Sequence, residues 1–293
     1  MGYWIIRTIF QIMACIPLGL GRFLGKTLGI FISLLPFKRL KVSLDNIQNT
    51  LGGSLTGPEA SRLNRRVYMH FGQALFELSR IFRMNNKNLD KYIVLEGEDN
   101  LTKALAKGKG VFLLSAHIGN WEMITAAVSI RYGRLSAIAS TQHSPAVDRL
   151  IKTIRTRFGM EVIPKKQGLK MMISAVKRNR IVGILLDLNS KWDQGVFVDF
   201  LGRPACTNKS LAVMVLKMDT PVIPAFSIRE KDGLYHIYLG EEIKPIRTGD
   251  RTMDIEENTA LFTRIIEAQV RKNPDQWLWV HRRWKTLPYC PLH

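Results

Sequence analysis

The segment Ser115-Ala-His117-Ile-Gly-Asn-Trp-Glu122 puts an imidazole and a carboxylate at H-x4-E spacing. A loop and a helical turn between them can bring the two groups together. Two chemistries follow. The imidazole can take a proton from a hydroxyl while the carboxylate fixes its tautomer and stabilises imidazolium. Alternatively the carboxylate is the direct base and the histidine positions it. The residues leave both open. An ordinary loop histidine followed by a helix N-terminal carboxylate has the same spacing. Ser115 has no G-x-S-x-G elbow around it, which makes covalent serine hydrolysis the weaker reading.

Positioning this motif requires particular elements. Gly110 to Ser115 is a continuous apolar run, the pattern of a buried strand. Gly119 permits a sharp turn. Trp121 to Ile130 reads as the following helix, with Glu122 in its first turn. The carboxyl ends of strands are where open α/β sheets place ligands. Further strands are expected at 92–95, 135–139, 161–163, 181–186, 222–228 and, as an outer strand, 234–239. Helices are expected at 101–107, 145–158 (with a basic face), 169–178, 211–218 and 254–271. Thr56-Gly-Pro-Glu59 is a helix start, followed by an apolar stripe from Leu63 to Phe82. Alternating strands and helices argue for an α/β fold with a mostly parallel central sheet flanked by helices.

Ahead of this body, Tyr3 to Leu35 is mostly apolar but interrupted by Arg7, Arg22 and Lys26. Its longest uncharged run is shorter than the ~20 residues of a plain spanning helix. Lys38, Arg39 and Lys41 follow, a cluster suited to anionic lipid heads. Residues 1–36 are expected to be a membrane-inserted or interfacial helical segment, and residues 37–293 the α/β domain. The positive-inside pattern puts Lys38 onward on the cytoplasmic side.

The 43 Lys+Arg against 24 Asp+Glu leave a formal charge of +19, which suits an anionic partner. Helix-turn-helix, zinc and RNP motifs are missing, so nucleic acid is not expected. Cys15, Cys206 and Cys290 are far apart and form no CxxC, which argues against disulfides and zinc. Cys290, His281 and His293 lack the spacing of a metal site. Trp277, Trp279, His281, Arg282, Arg283 and Trp284 form an aromatic-basic cluster. It fits either an interface belt or tryptophans of a C-terminal strand packed on the core.

The wording SAHIGNWE resembles the bacterial lipid A biosynthesis (late, or secondary) acyltransferases, members of the wider lysophospholipid acyltransferase superfamily with its H-x4-[DE] mark. The resemblance extends over Lys41–Ile47, Arg149 with Arg155-Thr-Arg157-Phe-Gly159, Val162–Lys165, Gly195–Val198, Phe200–Ala205 and Pro274–Lys285. It implies His117 and Glu122 as catalytic residues. It implies substrate-binding roles for Arg149, Arg155 and Arg157, with one of the last two at the active site, and for Gly202, Arg203 and Pro204. Asp187-Leu-Asn189 departs from the Asp-Gln pattern at that place, which weakens any role for Asp187. The implied reaction moves a fatty acyl chain from acyl carrier protein, or from coenzyme A, to a hydroxyl of a Kdo-bearing lipid A precursor, with no cofactor. The implied setting is the cytoplasmic side of the bacterial inner membrane. A lysophospholipid, aminolipid or glycolipid acceptor, or a lipid hydrolase, is the rival.

Overall fold

The computed structural model describes residues 2–139 and 142–288. Cys290 and His293 therefore lie outside the described residues. The strands are β1 (Ile93–Glu96), β2 (Val111–Ser115), β3 (Leu135–Ala139), β4 (Glu161–Pro164), β5 (Ile181–Leu185), β6 (Gly195–Phe200), β7 (Arg203–Asn208), β8 (Val222–Arg229) and β9 (Tyr235–Leu239). The helices are α1 (Gly2–Cys15), α2 (Leu18–Ser33), α3 (Lys38–Leu51), α4 (Gly57–Leu78), α5 (Glu98–Ala106), α6 (Trp121–Tyr132), α7 (Pro145–Thr156), α8 (Gly168–Lys177), α9 (Ser210–Met218) and α10 (Arg251–Lys272).

Seven strands form one sheet in the order β1-β9-β8-β2-β5-β3-β4, and β6-β7 is a separate antiparallel hairpin. Every neighbouring pair in the large sheet is parallel except β8-β9. The mostly parallel α/β expectation holds. The run at 234–239 is not an outer strand. It pairs with β1 on one side and β8 on the other, so its alternating pattern reports two unequal faces, not an edge.

The strands alternate their side chains between two cores, as the pleat requires. Phe112 and Leu114 point into one, with Leu63 and Val67 of α4, Phe262 of α10 and Trp277. Val111 and Leu113 point into the other, with Leu101 of α5, Met123 and Ala127 of α6, and Leu150 and Ile154 of α7. β2 is buried at every position, which explains its unbroken apolar sequence. The start of α4 is a capping box, in which the Thr56 N–H donates to Glu59 Oε2 at 2.8 Å.

At the N-terminus, α2 turns Gly21, Gly25 and Gly29 toward α4. A Cβ at Gly25 or Gly29 would overlap the backbone of Gly72 or Tyr68, so the two helices meet backbone to backbone. Arg22 on α2 donates to Glu77 of α4 at 2.7 Å. The Tyr3 hydroxyl of α1 lies 3.1 Å from the Thr153 hydroxyl of α7. The outward faces of α1 and α2 expose Trp4, Ile5, Ile9, Ile12, Leu20, Phe23, Leu28 and Phe31. No single helix among the described residues is long and apolar enough to cross a membrane. Helices α2 and α3 reach that length and composition only together, and they are bent by 89° to each other.

Candidate active site

In the β2–β5 ladder, Ser115 is the Cα partner of Leu185. His117 and Asp187 each follow two residues later, so parallel pairing carries both chains to the same point beyond the sheet. There the Asp187 carboxylate accepts three hydrogen bonds. The His117 backbone N–H donates to Oδ2 at 2.9 Å, His117 Nδ1 to Oδ1 at 2.8 Å and the Trp277 indole N–H to Oδ2 at 2.8 Å. Asp187 has no exposed side-chain surface, whereas the His117 side chain keeps 16% of its own. Burial works to raise the Asp187 pKa, but the facing imidazole and these donors outweigh it and hold the carboxyl down to about 2. With Nδ1–H committed to Asp187, the lone pair of His117 is on Nε2. The arrangement is that of a general base with its orienting carboxylate.

The motif loop is braced from three sides. His70 of α4 donates to the Gly119 carbonyl at 3.1 Å. The Gly119 N–H donates to Gln276 O at 2.9 Å, and the Leu278 N–H to His117 O at 3.0 Å. Gly119 has φ +59°, and a Cβ there would overlap the Ser227 carbonyl oxygen. This position therefore requires glycine.

Glu122 is elsewhere occupied. Its carboxylate accepts from Arg155 Nε at 3.1 and 3.0 Å and from Nη2 at 2.5 Å, and from the Trp121 indole at 3.2 Å. Trp121 stands edge-on to His117 with ring centroids 4.9 Å apart. The expected His117–Glu122 hydrogen bond is thus replaced by two pairs, His117–Asp187 and Glu122–Arg155, with Trp121 touching one and bonded to the other. The physical cause is that Glu122, in the first turn of α6, faces the cationic end of α7, while the strand ladder delivers Asp187 to the imidazole. The Ser115 hydroxyl is buried with no hydrogen-bond partner among the described residues. It is not placed as a nucleophile.

A family model described as bacterial lipid A biosynthesis acyltransferase matches residues 1–286. The chain belongs to this family. It is similar to a lipid A biosynthesis acyltransferase of Haemophilus influenzae, at 24% identity over 282 residues, 95% of this chain and 86% of that protein. A phosphatidylinositol mannoside acyltransferase of Mycobacterium tuberculosis matches at 26% over 160 residues, 53% of this chain and 50% of that one. Among solved structures, the 1-acyl-sn-glycerophosphate (LPA) acyltransferase of Thermotoga maritima matches at 14% identity and a TM-score of 0.39, covering 80% of this chain and 95% of that one. This lipid A acyltransferase-family chain is an acyltransferase, and its reaction is acyl transfer to a lipid.

The other residues that the family resemblance singled out fall in different places. Arg155 joins the site through Glu122. Arg157 is exposed past the end of α7, its guanidinium 5.5 Å from the Phe158 ring. Arg149 lies 4.2 Å from the Tyr3 ring and holds α1 on α7. Gly202 forms the β6–β7 turn with Leu201, both at positive φ, and Leu201 N donates to Glu267 of α10 at 2.8 Å. Arg203 sits 5.0 Å over Trp284, and Pro204 pairs with Asp199 across the hairpin. These three residues therefore make a hairpin tip resting on α10 and Trp284.

The C-terminal aromatic-basic cluster is not an interface belt. Trp277, Trp279 and Arg283 are wholly buried, and Trp284 nearly so. It is not a strand either, apart from one bridge between Ile118 and Trp277. Asp187 and Trp277 are the residues beside His117 to which the motif spacing does not point. Their signal was present, an acid two residues beyond a buried strand and a tryptophan with an indole N–H to satisfy. His281 lies near this pair, and burial holds its imidazole down to about 4. Its Nε2 accepts from the Asn189 N–H at 3.0 Å. Among the described residues no cluster of His, Cys, Asp and Glu fits a metal ion.

Proposed function

We propose that this enzyme transfers a fatty acyl chain from the thioester of acyl carrier protein to a hydroxyl of a Kdo-bearing lipid A precursor. The observation that carries the mechanism is the His117–Asp187 pair. His117 Nε2 removes the acceptor hydroxyl proton as the oxygen attacks the thioester carbonyl. Asp187 stabilises the imidazolium so formed. The tetrahedral intermediate collapses, the ester forms, and the imidazolium returns its proton to the departing thiolate. Glu122 acts indirectly. It anchors Arg155, whose remaining N–H groups serve as donors to the oxyanion.

Several features support the setting. The exposed apolar faces of α1 and α2 suit a bilayer. Lys38, Arg39 and Lys41 suit the cytoplasmic leaflet of the inner membrane. The +19 charge suits the acidic carrier protein that the family resemblance implies, and coenzyme A, also anionic, is the alternative donor. The partial match to a mannoside acyltransferase supports a second reading with another glycolipid acceptor.

The test is mass spectrometry of lipid A and phospholipids from cells with and without the gene. Loss of one acyl group from lipid A, phospholipids unchanged, is expected. The reverse pattern moves the acceptor to another lipid. Purified enzyme with acyl carrier protein thioester should transfer only when acceptor is present. Release of free fatty acid without acceptor would make it a hydrolase.

A further inference from the structure

Between α1 and the end of α7 lies an open groove of about 540 Å3, lined by Arg7, Gln11, Cys15, Arg83, Thr156 and Arg157 among others. Among the described residues no carboxylate lines it. Among the described residues, Arg7, Arg83 and Arg157 form no ion pair, whereas Arg131, Arg155, Arg178 and Arg229 all do. Arg7 donates to the Tyr3 hydroxyl at 3.4 Å and Arg83 to the Ala14 carbonyl at 3.1 Å, so both are held at the groove by neutral partners. Three guanidinium groups around one concavity repel one another when it is empty of counter-charge. They also present the forked donors that match phosphate oxygens.

The groove has a definite relation to the apolar surface. On α1, Arg7, Gln11 and Ala14 share the face toward the groove, at helical spacing. Ile5, Ile9 and Ile12 are exposed on the opposite face of the same helix, and Trp4, also exposed, flanks the groove with the Arg7 guanidinium 5.3 Å from its ring. With that apolar face in the acyl region of a bilayer, the three arginines stand at headgroup level.

We propose that this groove binds the phosphate of a membrane lipid, with Arg7, Arg83 and Arg157 sharing its charge. The ligand chemistry is a phosphate ester. An anionic phospholipid and a phosphorylated glycolipid both supply it. The proposal goes beyond the acyl-transfer reading and holds whichever lipid receives the acyl group.

The test uses the full chain and no acyl donor, so it fails or succeeds separately from the transfer assay. Binding to vesicles of phosphatidylcholine alone, with phosphatidylglycerol, and with diphosphorylated lipid A is compared for the native protein and the triple variant Arg7→Gln, Arg83→Gln, Arg157→Gln. A control triple, Arg62→Gln, Arg65→Gln, Arg66→Gln, removes the same charge from α4. At about 1 kcal/mol per basic residue, the groove triple should lose about a hundredfold in affinity for the anionic vesicles, whose phosphates are not neutralised by choline. The control should lose clearly less. Loss confined to phosphatidylglycerol vesicles identifies a phospholipid as the source, and loss confined to lipid A vesicles a glycolipid. Native affinity in the groove triple, or an equal loss in the control, overturns the proposal. A second readout needs no variant. Cys15 is exposed at the groove, and monomeric dihexanoyl phosphatidate should slow its alkylation where dihexanoyl phosphatidylcholine does not. Equal alkylation rates with both lipids likewise overturn it.

Discussion

Glu122 and His117, the two named residues of the H-x4-E motif, do not bond to each other: Glu122 is held by Arg155 and His117 by Asp187. The motif therefore joins a hydrogen-bonded pair and an ion pair across the Trp121 ring, and each has its own consequence.

Asp187→Asn keeps the shape of the side chain and removes its charge. The imidazolium then loses its stabilising partner and Nδ1–H its preferred acceptor. Transfer at saturating substrate should fall by about 10²–10⁴-fold, with KM for the acceptor little changed. Steady-state acyl transfer by purified protein reads both. Near-native turnover would remove Asp187 from the mechanism.

The Glu122–Arg155 pair is mostly buried, at 11% and 18% side-chain exposure. Removing one partner strands the other charge. Arg155→Ala should cost about 3 kcal/mol of stability. The double variant Glu122→Gln, Arg155→Gln should recover part of that loss while remaining poorly active. Denaturant titrations of the matched singles Glu122→Gln and Arg155→Gln beside the double variant give the coupling directly. Simple additivity would mean the pair is only a surface contact.

Gly119→Ala places a methyl group against the Ser227 carbonyl at a backbone angle of φ +59°. The turn must open, and His117 moves with it. Activity should drop at least tenfold, since small displacements of catalytic groups are costly. The melting temperature should fall with it, and an unchanged one would show the loop relaxing freely.

His70 is buried. That burial, with Arg229 nearby and the Gly119 bond only partly offsetting it, holds its imidazole down to about 3. The unfolded chain takes up a proton below about pH 6.5 that the folded chain refuses. Stability is thus fully present above pH 6.5 and declines as pH falls toward 3. His70→Gln preserves a donor for the Gly119 carbonyl and removes this contribution. Between pH 7.5 and 4.5 the variant should lose roughly 3 kcal/mol less than the native protein. Parallel pH profiles of the two unfolding free energies would contradict the assignment.

Phe23 and Phe31 are exposed at 64% and 60% on α2. If that face enters a bilayer, each contributes about 2 kcal/mol of apolar burial. Phe23→Ser with Phe31→Ser should weaken vesicle binding by at least a hundredfold without altering transfer to detergent-dispersed acceptor. Flotation assays test this, and unchanged flotation would place the membrane contact elsewhere.

Much of this molecule is legible from local pattern. The apolar run of β2, the Thr56–Glu59 cap and the helical stripe of α4 are each decided within a few residues, because burial, capping and periodicity are short-range signals. The β6–β7 hairpin is not legible in this way. Its segments are short, and its turn uses Leu201 at positive φ, a conformation that sequence alone does not advertise. The burial of Trp277, Trp279 and Arg283 is likewise a tertiary result. Arg283 is tolerated inside because its guanidinium donates to Leu188 O at 3.1 Å, Cys206 O at 2.8 Å and the Thr207 hydroxyl.

By itself the sequence determined the α/β class, the position of the histidine after a central strand and the acyltransferase family. Only the tertiary structure decided which acid faces that histidine. Local spacing favours Glu122. Strand order overrides it, because β5 pairs beside β2 in register and brings Asp187, seventy residues away, to the imidazole.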